Sequence, residues 1–318
     1  MERKQRTIRT SQSCQGIGLH TGVDSSITFH SAPENYGIRF VRSDISSTTE
    51  VKADIDHVVD ISRGTTIEEN DVRIHTVEHA LAAVSGLRID NILIELTSKE
   101  PPVMDGSAKD FVECLIKAGI KIQKQERKVL EITRAVNYTN PYRDIDIHVI
   151  PSDRFRITFM VEYNLPALGT QYEAIYNMEE DFAFEVAPAR TFCFLSEVEM
   201  LKEQGLIKGG ALDNAVVIVD KEIDTSEIDR LRDLFGIEHT IIQGANGILN
   251  GKVLRFKNEP VRHKTLDLIG DLALLGVPIK GHVTAARAGH ASNVEFVKKL
   301  KKQYAKELAE LWTENIND

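Results

Sequence analysis

The chain has 318 residues, enough for one large or two ordinary domains with cores of their own. Hydrophobic residues make up 42% and charged residues 27%, which excludes a disordered or fibrous chain. The net charge of −9 at pH 7 argues against general nucleic-acid affinity, because phosphate binding needs a basic surface, but it leaves room for a local basic pocket facing a small phosphorylated ligand.

The opening MERKQRTIRT lacks the apolar stretch of a signal peptide, and no apolar run is long enough to cross a bilayer. A cytoplasmic protein without stable membrane insertion is expected. Cys14, Cys114 and Cys193 share no short spacing, so neither a disulfide framework nor a thiolate zinc site is read, and three reduced thiols are expected.

In HTVEHALAAVSG, Val77, Ala80, Leu81 and Val84 fall on one helical face, with Gly86 as C-cap. NILIEL follows as a strand. MDGSAKDFVECLIKAG reads as a turn at Asp105-Gly106 and then a helix, with Ser107 as N-cap, Asp110 completing a capping box and Gly119 as the stop. The charged KIQKQERK marks a boundary near residue 126, before the strand patterns VLEITRAV, DIDIHVI and FRITFMVEY. HKTLDLIGDLALLG is a second helix, closed by Gly276 and followed by the strand PIKGHVTAA.

A helix closed by glycine and leading into a strand thus occurs in both halves. The expectation is an α+β fold of two similar units, residues 1–126 and 127–300, each a sheet layered with helices. Residues 221–250 read as an insertion, and 301–318 as a charged helix that either packs on the second unit or leads into further chain.

Of the ten histidines, His30, His57, His148 and His239 sit in polar or alternating contexts and read as surface or strand residues. His75, Glu78 and His79 match H-x-x-E-H, the inverted metalloprotease motif, but two solvated histidines on an amphipathic helix give the same string. His263 and Asp267 are four apart, so both side chains can reach one metal ion; a capping histidine and an exposed aspartate are the plain alternative. Asp271, one turn further along the same stripe, weighs against that alternative, since two stacked carboxylates need a cation or a positive partner. His290 lies in a glycine-flanked loop after a strand, a common place for catalytic groups and also for exposed ones. GIGLHTG does not match the dinucleotide fingerprint and follows no βαβ unit.

Taken in order, GIGLHTG, DVRIHTVEHALAAVSGLRIDN, MDGSA, ARTF, GLIKGGALDNAVV, VRHKTLDLIGDLALLG and GHVTAARAGHASN resemble the UDP-3-O-acyl-N-acetylglucosamine deacetylases, zinc enzymes of lipid A biosynthesis in Gram-negative bacteria. The likeness runs over most of residues 5–295. It implies an active site at the interface of two similar domains and zinc on His79, His263 and Asp267, with iron(II) suited to the same donors. Glu78 falls on the general base, His290 on the general-acid or electrostatic histidine, Asp271 on that histidine's carboxylate partner, and Thr191 on a hydroxyl that helps hold the oxyanion.

The resemblance further implies that Lys264 meets the substrate diphosphate, that Tyr163 stacks on uracil, and that Phe192 and the GLIKGG segment (Gly209 and Gly210) help line a passage for the acyl chain. His20 falls in a motif near the site. The products would be acetate and UDP-3-O-acyl-glucosamine. His75 has no role in the family.

Departures are Tyr163 where phenylalanine is usual, the polar DISRGTTIEEN loop in place of more apolar residues, and the 221–250 insertion. Some members are fused to an acyl-carrier-protein dehydratase domain, and the charged terminal helix fits the start of such a linker. Two other readings stay open: an inverted-motif protease using His75, and a non-catalytic nucleotide-sugar binder.

Overall fold

Alternating apolar residues build two five-stranded sheets. The computed structural model describes residues 4–313 except 63, 164, 166, 167, 222–229 and 231–246. The first sheet contains β1 (Gln12–Ile17), β2 (Asp24–Ser31), β3 (Ile38–Arg42), β4 (Val51–Lys52) and β5 (Ile92–Leu96), in the order β1-β2-β5-β3-β4. The second contains β6 (Val136–Asn140), β7 (Ile145–Ile150), β8 (Arg156–Glu162), β9 (Thr170–Ile175) and β10 (His282–Ala286), in the order β6-β7-β10-β8-β9. β5 runs antiparallel to β2 and parallel to β3, and β10 has the same relation to β7 and β8.

The helices repeat as well. In the first half α1 (Glu78–Gly86) leads into β5, and α2 (Lys109–Ala118) follows it. In the second half α3 (Glu259–Ala273) leads into β10, and α4 (His290–Gln303) follows. A parallel pair of strands needs a crossover, and α1 and α3 lie on those crossovers. The fold is therefore α+β with two similar sheet-rich halves.

α1 and α3 pack against each other more extensively than any other two elements described. Ala80, Ala82 and Ala83 keep α1 slim, and a side chain at Gly270 of α3 would run into the Glu78 carbonyl oxygen. Small residues thus let two backbones approach closely in the middle of the molecule. Leu266, Ile269 and Leu272 are buried in the same core.

Each half carries an insert at the same place in its order, between its fourth strand and its helix. In the first, Val58–Asp60, Thr66–Glu69 and Val72–Ile74 form a small antiparallel sheet. In the second, Phe192–Phe194 pairs in parallel with Val216–Ile218, with the helix Leu195–Glu203 between them. Most of the expected 221–250 insertion lies outside the described residues, as does His239; Ile248 forms a bridge with Ile218.

Local expectations are corrected in several places. Gly86 is the last residue of α1 rather than its cap, and its missing side chain makes room for the ring of Phe182. Ser107 stands one residue before the N-cap of α2, with its hydroxyl accepting from Lys109 N–H at 3.2 Å. Its hydroxyl donates to Asp105 Oδ1 at 2.6 Å and so serves the preceding turn, and Ala108 stands at the N-cap. The charged KIQKQERK is largely a strand, Ile120–Glu126, paired with Lys4–Ile8.

Cys14 and Cys114 are paired with each other as a disulfide, leaving only Cys193 free, where three separate thiols were expected. They meet because α2 packs on β1, a contact that no sequence spacing announces. The terminal helix packs: α4 runs to Gln303, and α5 spans Ala305–Thr313. Between them Tyr304 is fully buried, its hydroxyl donating to the Arg134 carbonyl at 2.7 Å.

Candidate metal centre and acid–base site

α1 starts at Glu78, so Glu78 and His79 occupy its first turn, facing α3. The turn before it is held from two sides. Thr76 has φ +54, a left-handed backbone, and its hydroxyl donates to Glu100 Oε1 at 3.1 Å. Val77 N–H donates to the Thr65 carbonyl at 3.1 Å.

His79, His263 and Asp267 are the one group among the described residues whose ligand atoms converge as a metal site would need, all within 4.8 Å of one another. Asp267 Oδ1 lies 3.4 Å from His263 Nε2 and 3.7 Å from His79 Nε2. Both separations exceed a good hydrogen bond, as expected of donors that aim at a common point rather than at each other. His263 Nδ1 donates to the Ala189 carbonyl at 3.0 Å, which leaves Nε2 as the free lone pair. Burial holds His263 down to about 4, so its imidazole is neutral near pH 7, the form that binds metals. Burial opposes charge on Asp267, but neighbouring His263, Lys264 and His290 outweigh that and hold it well below the usual carboxylate range. Two imidazoles and a carboxylate fit a borderline-soft divalent ion.

His290 opens α4. Its Nδ1 donates to Asp271 Oδ2 at 2.8 Å, while Nε2 stands 3.9 Å from both Glu78 Oε1 and Asp267 Oδ2. Burial disfavours the imidazolium, but Asp271 and Asp267 outweigh it and push His290 up to about 10. Glu78 moves up from its ordinary value, chiefly because it is buried. The site therefore sets a basic carboxylate opposite a persistent imidazolium.

Several site groups escape a reading of the sequence. Thr65 N–H donates to Glu78 Oε2 at 2.9 Å, and its hydroxyl donates to Asp271 Oδ1 at 2.6 Å. Asn293 Nδ2 donates to Asp271 Oδ2 at 2.9 Å. Glu100, fully buried, accepts from the backbone of His20 at 3.0 Å and of Thr21 at 2.9 Å. One carboxylate thereby ties GIGLHTG to the turn before α1. The acid ahead of a Pro-Pro pair in KEPPVMDG was the only visible signal.

The remaining residues surround this centre. Thr191 N–H donates to the Gly106 carbonyl at 2.7 Å, joining ARTF to MDGSA. Lys264 Nζ lies 3.4 Å from Asp267 Oδ2 and 5.7 Å from the centre of the Phe192 ring. The rings of Tyr163 and Phe192 are 6.0 Å apart, and Phe192 stands 6.4 Å from His263, an aromatic wall beside the metal group. Gly209 lies against the His20 loop, and Gly210 N–H donates to the Ile207 carbonyl at 2.9 Å. Gly209 N–H donates to the Leu19 carbonyl at 3.0 Å, and a Cβ on Gly209 would run into the Gly18 carbonyl. His20 and these glycines are not members of the metal group.

His75 is not one of the three converging residues; its Nδ1 lies 3.1 Å from the Thr66 hydroxyl, so H-x-x-E-H does not describe the centre. A cavity of about 1200 Å³ lies elsewhere, lined by Tyr36, Arg88, Lys128, Phe155 and Trp312 among others, and contains none of the metal group.

A carboxylate and two imidazoles, with an acid–base pair beside them, define a candidate metallohydrolase centre. The family model described as LpxC, UDP-3-O-acyl N-acetylglycosamine deacetylase, matches residues 5–235 and 234–302, and the chain belongs to that family. It is 53% identical over 299 residues to a bifunctional enzyme LpxC/FabZ of Chlorobaculum tepidum, covering 94% of this chain and 64% of that protein. The chain thus spans less than two thirds of that relative's length. The UDP-3-O-acyl-N-acetylglucosamine deacetylase of Chlamydia pneumoniae is 39% identical, with 94% of this chain and 98% of that protein aligned. That of Myxococcus xanthus is 38% identical, with 93% and 86% aligned.

Proposed function

We propose that the protein hydrolyses the N-acetyl group of UDP-3-O-acyl-N-acetylglucosamine, a step of lipid A biosynthesis, giving acetate and UDP-3-O-acyl-glucosamine. The observation that carries this is the facing pair Glu78 and His290 beside a three-residue donor group, in a chain of the deacetylase family.

His79, His263 and Asp267 would hold the cation, zinc in our reading, with iron(II) the alternative such donors accept. When bound, it supplies Lewis acidity, by which metallohydrolases obtain a water nucleophile near neutral pH. Glu78 takes a proton from the water attacking the acetyl carbon; its raised pKa makes it a stronger base than an exposed glutamate. The carbon–oxygen bond forms, the amide carbon–nitrogen bond breaks, and the leaving nitrogen needs a proton.

His290 supplies that proton from Nε2, because Asp271 occupies Nδ1 and keeps the ring charged. Until then its charge, with the Thr191 hydroxyl, favours the oxyanion. Lys264 serves the diphosphate, leaving Asp267 to do so. Tyr163 serves the uracil; Phe192, Gly209 and Gly210 border the acyl passage, with His20 alongside.

Among the described residues no helix is long and apolar enough to cross a membrane. A UDP-sugar substrate suits the cytoplasm of a Gram-negative bacterium, where we place the protein. The domain division near residue 126 and the insertion at 221–250 remain part of this proposal. Relatives named bifunctional LpxC/FabZ support a dehydratase domain fused in the full-length protein.

Mass spectrometry of acetate release from UDP-3-O-acyl-GlcNAc substrates of graded chain length, with anaerobically purified protein, tests the reaction. Release that stops with chelator and returns with metal supports it; no release from any substrate by metal-loaded protein refutes it.

A further inference from the structure

Glu259 and His263 stand four residues apart on α3, and one peptide group joins them. The Ala189–Arg190 peptide presents its carbonyl oxygen to His263 Nδ1 at 3.0 Å and its N–H to Glu259 Oε1 at 3.0 Å. The Arg190 side chain closes on the same carboxylate, Nε to Oε1 at 2.8 Å and Nη2 to Oε2 at 3.0 Å. Arg255 N–H adds a bond to Oε2 at 2.7 Å. Glu259 is 0% exposed and Arg190 5%, so this is a fully formed buried ion pair.

An acid in the first turn of a helix is stabilised by the helix dipole wherever it points. Four donors converging on this one, three of them from the backbone and side chain of Arg190, which precedes Thr191, go beyond that need. A peptide whose N–H faces a carboxylate is polarised, and its carbonyl becomes a better acceptor. A strong acceptor on one imidazole nitrogen fixes the tautomer and makes the other nitrogen a better metal donor.

We infer that Glu259 is a positioning residue for the metal centre and acts on His263 through the Ala189–Arg190 peptide. The order is carboxylate, peptide, imidazole, in place of direct contact between carboxylate and imidazole. The ion pair also pins the ARTF segment to α3, so the placement of Thr191 depends on the same clamp. The inference rests on reading His79, His263 and Asp267 as a cation site.

The test is the rate at which the folded, zinc-loaded protein loses its ion to excess chelator. Wild type is compared with Glu259→Gln and with the double variant Glu259→Gln/Arg190→Met, and circular dichroism reports the fold. Glutamine keeps an acceptor for the Arg190 N–H but removes the charge; the double variant leaves no buried guanidinium unpaired. Both are expected to lose zinc about 10–100-fold faster than wild type. A wild-type rate in either variant overturns the inference, since the charge would then not reach His263. Should the single variant not fold, the double variant decides alone. The cation-site reading fails separately: it falls if wild type holds no stoichiometric zinc, or if His263→Ala holds as much as wild type.

Discussion

The Thr65 hydroxyl donates to Asp271 Oδ1 at 2.6 Å, joining an insert of the first half to the central helix of the second across 206 residues of chain. The same residue's N–H holds Glu78 Oε2 at 2.9 Å, so one threonine orients both the proposed base and the partner of the proposed acid. Removing the hydroxyl while keeping the shape leaves a buried carboxylate oxygen unsatisfied, which costs about 1–3 kcal/mol. Thr65→Val is expected to lower Tm and kcat with KM and metal content kept, and Thr65→Ser to restore both. Assays of the two variants side by side check this, and equal kcat in Val and wild type would count against it.

At Gly270 the backbone of α3 comes close to the start of α1. A methyl group there meets the Glu78 carbonyl oxygen, which belongs to backbone and cannot swing aside. Overpacking of this kind typically costs about 1–3 kcal/mol. Gly270→Ala is expected to unfold at lower temperature and, by separating His79 from Asp267, to bind less zinc per chain. Thermal melts with metal analysis of the folded fraction measure both effects.

A pH effect on stability should come from Lys301, which bonds Asp54 Oδ1 at 2.6 Å and Asp56 Oδ2 at 2.7 Å, fastening α4 to the first half. Burial opposes both charges, yet the pairing wins, lowering Asp54 and raising Lys301. A depressed carboxylate contributes stability that is full above its unfolded pKa and lost as pH falls through the folded one. A raised lysine contributes stability that is full below its unfolded pKa and lost as pH rises through the folded one. The pair therefore acts between about pH 4 and pH 10. Asp54→Asn should cost about 1 kcal/mol or less at pH 7 and nearly nothing near pH 2. Denaturant unfolding at the two pH values reads the difference; an equal cost at both would contradict the pairing.

The convergence of the proposed metal donors was partly legible, because two side chains four apart on a helix carry their geometry in the sequence, as His263 and Asp267 do. The repeat of helix, glycine and strand likewise pointed to two similar halves, and the matching strand orders bear this out. The supports of the site were not legible. Thr65 and Asn293 reach Asp271 from different elements, and Ala189 acts through a carbonyl that any residue would offer. Nothing in the local sequence marks Glu259 or Gly270 as part of the site. Their functions come from what lies opposite, which only the packing of α1 on α3 determines. The match of His75 to a protease motif failed for the same reason, since its ring is turned to Thr66.

The most direct test of the central claim is acetate release by zinc-loaded wild type and by Glu78→Gln carrying the same zinc. The glutamine preserves size and the acceptor for Thr65 N–H but cannot take a proton. Steady release by wild type and near-complete loss in the variant, with zinc and UDP-sugar binding kept, are the expected results. Undiminished release by the variant would contradict that claim.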